Sequence, residues 1–327
     1  MNTNGLSFIQ SLVFFGLTLA NSVQAQSNPW PNKPIRMIIG SPAGSGTDAV
    51  SRMVGNKVSE ALGQVFIMEN KAGAGGQIAT ELISKGVPDG YTLISISSAH
   101  ASQAATLKNL PYDPVDGLTW ISTVGVYPFL LAVSADASVQ SIPDLIKKAK
   151  ADPGSVTYTT SGVGSALHLV GELLAAETDT KMTHIPFPAG GGFGYTDILA
   201  GRIDMMINIP GLIVPYVRAN KLKAIAVTSA QRYDTLPNVP TLSEYIPGFE
   251  VISWLGIAAP PGIPTEVVKK INSAIKVALA SKELQAQMQK AGVQPQSTTP
   301  EEFHTIVEKG IEKYKKIAES RHIEIQP

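Results

Sequence analysis

Along the first hundred residues the apolar positions change period several times. The run "IRMII", Ile35 to Ile39, is nearly continuous, as in a strand covered on both faces. It breaks at "GSPAGSGTD", and a 3.6-residue pattern follows that places Val50, Met53, Val54, Val58, Ala61 and Leu62 on one helical face. "VFIMEN", "GQIATELISKG" and "YTLISIS" continue as strand, helix and strand. Strands separated by helices predict a parallel sheet with crossovers, hence an α/β layered domain.

The pattern then shifts. "LTWISTVGVYPFLLAVSAD" is long and strand-like, interrupted by Gly125 and Pro128, as a chain leaving one sheet for another would be. A second alternation follows: "SIPDLIKKAKAD" as helix, "VTYTTS" as strand, "SALHLVGELLAAE" as helix, "MTHIPF" as strand, "YTDILAGR" as helix, then "IDMMIN" and "LKAIAVTS" as strands. The Pro-rich "LPNVPTLSEYIPGFE" leads to a second crossing, "SWLGIAAPPGIP", and the C-terminal part is helical. Thr299 to Glu302 has the form of a capping box with Pro300 at the first helical position. Two α/β halves joined by two crossings predict a hinged molecule with a cleft, the usual place for a small ligand. The first lobe would be discontinuous, residues 26–125 plus 250–327, and the second would span 126–249.

Composition narrows the possibilities. The chain has 327 residues, no cysteine, and 26 basic against 26 acidic side chains. Neutrality without basic runs argues against nucleic acid and anionic membrane surfaces as partners. "LSFIQSLVFFGLTLA" with Val23-Gln24-Ala25 has the form of a signal peptide covering residues 1–25, so export to a bacterial periplasm is expected. Its n-region lacks Lys and Arg.

Three loops share one construction: "GSPAGSGTD" (Gly40 to Asp48), "AGAGGQ" (Ala72 to Gln77) and "TSGVGSALH" (Thr160 to His168). Each follows a predicted strand and precedes a predicted helix. The first helical turn leaves backbone N–H groups unpaired, glycines admit an anion to them, and Ser or Thr hydroxyls add donors. With no Lys or Arg inside the loops, a carboxylate fits better than a phosphate, and the absence of Gly-Lys-Ser/Thr excludes a nucleotide P-loop. Gly44, Gly46, Ala49 and Glu69 approximate a dinucleotide fingerprint, but the extra proline and the duplicate loop argue against it. There is no G-x-S-x-G elbow, and no His/Cys cluster with metal-ligand spacing. Neither a cofactor nor a metal is therefore expected. Asp48 reads as a cap or first-turn dipole partner whose charge is turned away or met by Arg52. "PAGGGFGY" reads equally as a mobile wall of the cleft or as a surface loop.

"IRMIIGSPAGSGTDAVSR", "MENKAGAGGQIA", "PDGYTLI", "LPYDP", "GSALHLVGELL", "TDILAGRIDMMI" and "SWLGIAAPPGIP" together resemble the Bug family, extracytoplasmic solute-binding components of tripartite tricarboxylate transporters. The resemblance implies a two-lobed, type II-like periplasmic binding protein, two Rossmann-like α/β domains joined by crossing strands. It implies a monomer that captures a small carboxylate and passes it to membrane subunits, with no catalysis; a periplasmic sensor or an enzyme for such a ligand is the alternative. By position, Ser41, Ala43, Gly44, Ser45, Thr47, Gly75, Gly76 and Gln77 would grip one carboxylate. Ser98, Ser161, Gly164, Ser165, His168, Phe187, Gly191 and Asn208 would meet the rest of the ligand. Three departures from the family pattern bear on ligand choice: Gly44-Ser45 in place of two glycines, a longer segment bringing Phe193 and Tyr195 near the cleft mouth, and Asn208 in place of an acid. They favour a dicarboxylate, with an apolar or aromatic body against Phe187 or Phe193, over an amino acid.

Overall fold

In the computed structural model, residues 29–187 and 194–323 are described. The segment expected to be a signal peptide, and Gly191 and Phe193, lie outside them.

Two sheets organise the chain. The first contains β1 (Ile35–Ile39), β2 (Phe66–Asn70), β3 (Thr92–Ser97), β4 (Thr119–Pro128), β10 (Ile252–Ala259) and β11 (Gln294–Pro295). The second contains β5 (Leu130–Ser134), β6 (Thr157–Thr160), β7 (Thr183–Pro186), β8 (Met205–Asn208) and β9 (Leu222–Val227). Leaving aside the short edge strand β11, their orders are β4-β10-β3-β1-β2 and β7-β6-β8-β5-β9. These are one arrangement used twice: β1 corresponds to β6, β2 to β7, β3 to β8, and β10 to β5. Within each sheet three strands run parallel, and the strand in the fourth place, β10 or β5, is antiparallel to both neighbours. The sheets are therefore mixed rather than purely parallel, because each receives one strand from a connection between the halves.

The chain changes sheet at Phe129, between β4 and β5, and returns between β9 and β10. Pro128 ends β4, but Gly125 does not break it. Gly125 sits within the strand opposite Pro295, where a Cβ would lie 2.5 Å from Val293 Cγ1. Closeness to Val293 and Gln294, beside a register shift between β4 and β10, accounts for that glycine.

The helices connecting the strands are α1 (Gly46–Leu62), α2 (Gln77–Ser84), α3 (Ala99–Thr106), α4 (Ile142–Ala151), α5 (Ala166–Glu177), α6 (Tyr195–Leu199) and α7 (Pro210–Arg218). Three more follow β10: α8 (Thr265–Leu279), α9 (Lys282–Lys290) and α10 (Pro300–Ser320). Thr299 and Glu302 close the expected capping box on α10. On α1, Val50, Val54 and Val58 are buried as their spacing requires, but Ala61 is exposed at the helix end. Ser51 takes a buried place instead, its hydroxyl 2.6 Å from that of Ser95 on β3. Helices α3 and α7 are absent from the sequence-based expectation. "AHASQAAT" has no apolar period to read, since it buries Ala and Ser side chains against α10.

The core follows the pleat of the second sheet. Leu131, Val133, Met205 and Ile207 join the main cluster, which runs into the first sheet's layers, whereas Leu130, Ala132 and Met206 face a separate cluster under α6 and α7. Burial on both faces is why these strands read as unbroken apolar runs.

Candidate functional site

Loop 1, between β1 and α1, and loop 3, between β6 and α5, stand at corresponding places in the two sheets, and their atoms repeat the correspondence. Ser45 and Ser165 are the N-caps, at φ/ψ of −71°/160° and −68°/156°. Each hydroxyl accepts the N–H of the third helical residue, Asp48 or His168, at 3.2 Å. Each N-cap is preceded by a left-handed glycine, Gly44 at φ +79° and Gly164 at φ +74°. The side chain of the third residue then reaches back over the cap. Asp48 Oδ2 accepts the Gly44 N–H at 2.9 Å, and His168 Nδ1 accepts the Gly164 N–H at 3.2 Å. This is a capping box lengthened by one residue.

Asp48 is buried and turned away from the cleft. Its Oδ1 accepts from Arg52 Nε at 2.9 Å and from Asn70 Nδ2 at 2.8 Å. Burial pushes its carboxyl up, but the hydrogen bonds from Asn70, Gly44 and Arg52 together hold it below the ordinary carboxylate value. Asn70 also donates to the Ser41 carbonyl, so the end of β2 pins the start of loop 1.

Loop 2 joins β2 to α2 through a tight turn in which Ala74, Gly75 and Gly76 all have positive φ. Gln103 of α3 donates to the Ala74 carbonyl at 2.7 Å, and a Cβ on Gly75 would lie 1.9 Å from the same Gln103 nitrogen. The Gly75 position thus needs glycine twice, for its φ of +62° and for the closeness of Gln103.

Between these loops lies open space. A crevice of about 480 Å³ runs between loops 1 and 2 over the end of β3, lined by Ser41, Thr47, Gly75, Gly76 and His100 among others. It shares Thr47, Gly75 and Gln103 with a cleft of about 650 Å³ that extends to loop 3 in the second half. The cleft is lined on one side by Gln77, Ser98 and Thr106, and on the other by Ser161 to Leu167 and Ile209. Tyr127, Phe129 and Ser253 form its floor on the two crossings. Among the described residues, no Lys, Arg, Asp or Glu lines either space. Among the described residues no acceptor meets the N–H groups of Gly46, Thr47, Ala166 and Leu167, the first two of α1 and of α5. An anion at either end of the cleft therefore meets helix N-termini and hydroxyls instead of a cation.

Of the residues expected to contact a ligand, the structure brings Ser41, Thr47, Gly75, Gly76, Gln77, Ser98, Ser161, Gly164 and Ser165 to these walls. Gly191 lies outside the described residues, and the remaining ones line neither space. Ala43, Gly44 and Ser45 line neither space, because the Gly44 N–H and the Ser45 hydroxyl are consumed in closing the helix cap. His168 is buried behind loop 3 for the corresponding reason. Phe187 packs into the cluster beneath α6 and α7, against Gly194. Tyr195 stacks on Tyr216 at 4.4 Å and donates to the Leu212 carbonyl, which takes it out of the cleft mouth. Asn208 is buried, its Oδ1 accepting from the N–H of Ile209, and it is Ile209 that reaches the cleft. Tyr127, Phe129, Gln103, Thr106 and Ser253 escaped sequence reasoning. They lie on the crossings and on α3, with no glycine to mark them.

Against this geometry, comparison with known proteins is decisive. The model of the tripartite tricarboxylate transporter family receptor matches residues 50–323. The chain belongs to this family. BugT of Bordetella pertussis is 30% identical over 316 residues, 94% of this chain and 96% of that protein. The solved structure of the periplasmic binding protein BugD superposes with a TM-score of 0.78 at 28% identity, over 91% of this chain and all of that one. Rpa4515 of R. palustris, solved with adipate, superposes at 0.81 and 30% identity, over 90% and 99%. The fold is the two-lobed α/β fold of such binding proteins. Among the described residues, no helix is long and apolar enough to cross a membrane, and no group of His, Cys, Asp and Glu could hold a metal ion.

Proposed function

We propose that this receptor works in the periplasm, capturing a small dicarboxylate with an apolar middle between its lobes for delivery to membrane subunits of a tripartite transporter. One observation carries the reading: Thr47 lines one side of the cleft and Ala166 and Leu167 the other, all in first helical turns whose N–H groups meet no acceptor among the described residues, and none of the described lining side chains is charged. A carboxylate at each end satisfies those amides, and the carbon chain between them meets Tyr127, Phe129, Leu107, Val163 and Ile209. The solved complex of Rpa4515 with adipate, a diacid of this shape, supports the same class. An amino acid fits less well, because its ammonium would find no carboxylate on these walls.

Binding and closure belong together here. The lobes, taken as residues 26–125 with 250–327 and residues 126–249, move about the two crossings, and a ligand held by loops 1 and 2 recruits loop 3 as the cleft shuts. The expected chemistry is retention without turnover. A calorimetric and thermal-shift panel of mono-, di- and aromatic carboxylates alongside amino acids tests this. Dicarboxylates are expected to raise the melting temperature with no product formed; a panel in which only amino acids bind overturns the reading.

A further inference from the structure

The bond that holds loop 3 defines a protonation state. The Gly164 N–H is a donor, so the His168 Nδ1 it meets at 3.2 Å carries no proton, and His168 is the neutral Nε2–H tautomer. The titratable groups facing this ring come from α5, β6 and β7. From α5, Glu172 Oε1 lies 3.7 Å from Nε2. From β7, His184 stacks on the ring with centroids 4.0 Å apart, and from β6 Tyr158 stacks at 6.4 Å. Glu172 also accepts from the Tyr158 hydroxyl at 2.7 Å and from Arg321, just past α10, at 3.2 Å, so its charge is already shared. His184 Nε2 in turn meets the Thr160 hydroxyl at 2.7 Å, and that hydroxyl accepts the Gly162 N–H at 3.3 Å. Both glycine amides of loop 3 are thus tied, directly or through one hydroxyl, to uncharged imidazoles.

We propose that His168 is the positioning residue of the second lobe's jaw, and that its protonation unlocks loop 3 and releases a carboxylate ligand in acid. A proton on Nδ1 sets one N–H against another, so the Gly164 amide has to turn away. The Ser165 cap and the free amides of Ala166 and Leu167 follow it. Burial is the larger influence on His168 and lowers it below the ordinary imidazole value, against a smaller upward pull from Glu172. Burial and the charge His168 would acquire hold His184 down at about 3. Because the folded, locked state binds this proton more weakly than the unfolded chain, the lock is complete above pH of about 6.5. It is lost as pH falls from there through the lowered value. The effect on ligand release rests on the carboxylate reading of the cleft; the lock itself does not.

The experiment has two arms. In the ligand-free wild type, imidazole 15N NMR at pH 7.5 should show His168 as the Nε2–H tautomer. The Gly164 amide shift should titrate together with that ring. In H168N, where Oδ1 keeps an acceptor that takes up no proton, the Gly164 amide should stay flat through the same range, whereas H184N should retain the titration. In the second arm, calorimetry with adipate from pH 7.5 to 4.5 should show the wild type losing affinity about tenfold more than H168N. The proposal is overturned by an Nδ1–H tautomer, by a Gly164 titration unchanged in H168N, or by parallel affinity profiles. If adipate binds neither protein at pH 7.5, the carboxylate reading fails, while the NMR arm still decides the lock.

Discussion

Loop 1 and loop 3 are two copies of one device, and they differ in the group that closes it. Both cap a helix with serine, both carry a left-handed glycine before the cap, and both use the third helical side chain to hold that glycine's N–H. Loop 1 uses a carboxylate, which Arg52 and Asn70 support from α1 and β2. Loop 3 uses an imidazole stacked in an aromatic pile. The requirement at this position is an acceptor, which either chemistry satisfies. The choice sets when the acceptor is lost: Asp48 only below its already lowered carboxylate value, His168 once pH drops below the imidazole range. Stability contributed at either position falls as pH falls.

The sharpest way to break the comparison is to remove each acceptor. Asp48→Ala also strands Arg52 and Asn70, and should cost about 3 kcal/mol in denaturant unfolding. His168→Ala strands one amide and loosens a stack, and should cost about 1.5 kcal/mol. Equal losses would mean that the network around Asp48 adds nothing. The two glycines form a second pair. Gly164→Ala meets both a positive φ and the Thr106 hydroxyl, 2.9 Å from the new Cβ, and should cost about 2 kcal/mol. Gly44→Ala meets the same φ with open space around it, and should cost about 1 kcal/mol by the same measurement. Most nearly equal should be the caps. Ser45→Ala and Ser165→Ala are each expected to cost about 1 kcal/mol, and a clear difference in thermal melts would show that the two caps are not equivalent.

Much of this device was legible before the fold. The loops were marked by glycine and serine between an apolar run and a helical pattern, and Asp48 read as a helix-start partner near Arg52. The sequence offers the loop's glycine and serine as donors for a ligand. Local sequence shows that Gly44 can approach an anion; only the folded loop shows that its N–H is already taken by Asp48. His168 likewise accepts the Gly164 N–H from behind loop 3. Tyr127 and Phe129 reached the cleft without any local signal, because their position depends on where the chain passes from one sheet to the other.

The sequence by itself determined the α/β alternation, the two crossings, the capped helices and the glycine loops, since these rest on period, propensity and turn chemistry within a few residues. Tertiary structure alone decided that the two sheets share one strand order, that β10 and β5 enter them antiparallel, and that the start of α1 and loop 3 line one cleft. It also decided which amides remain free for a ligand. That question turns on which donors the protein has already satisfied, and the partners that satisfy them come from Asp48, His168, Asn70 and Gln103, on elements brought together only by folding.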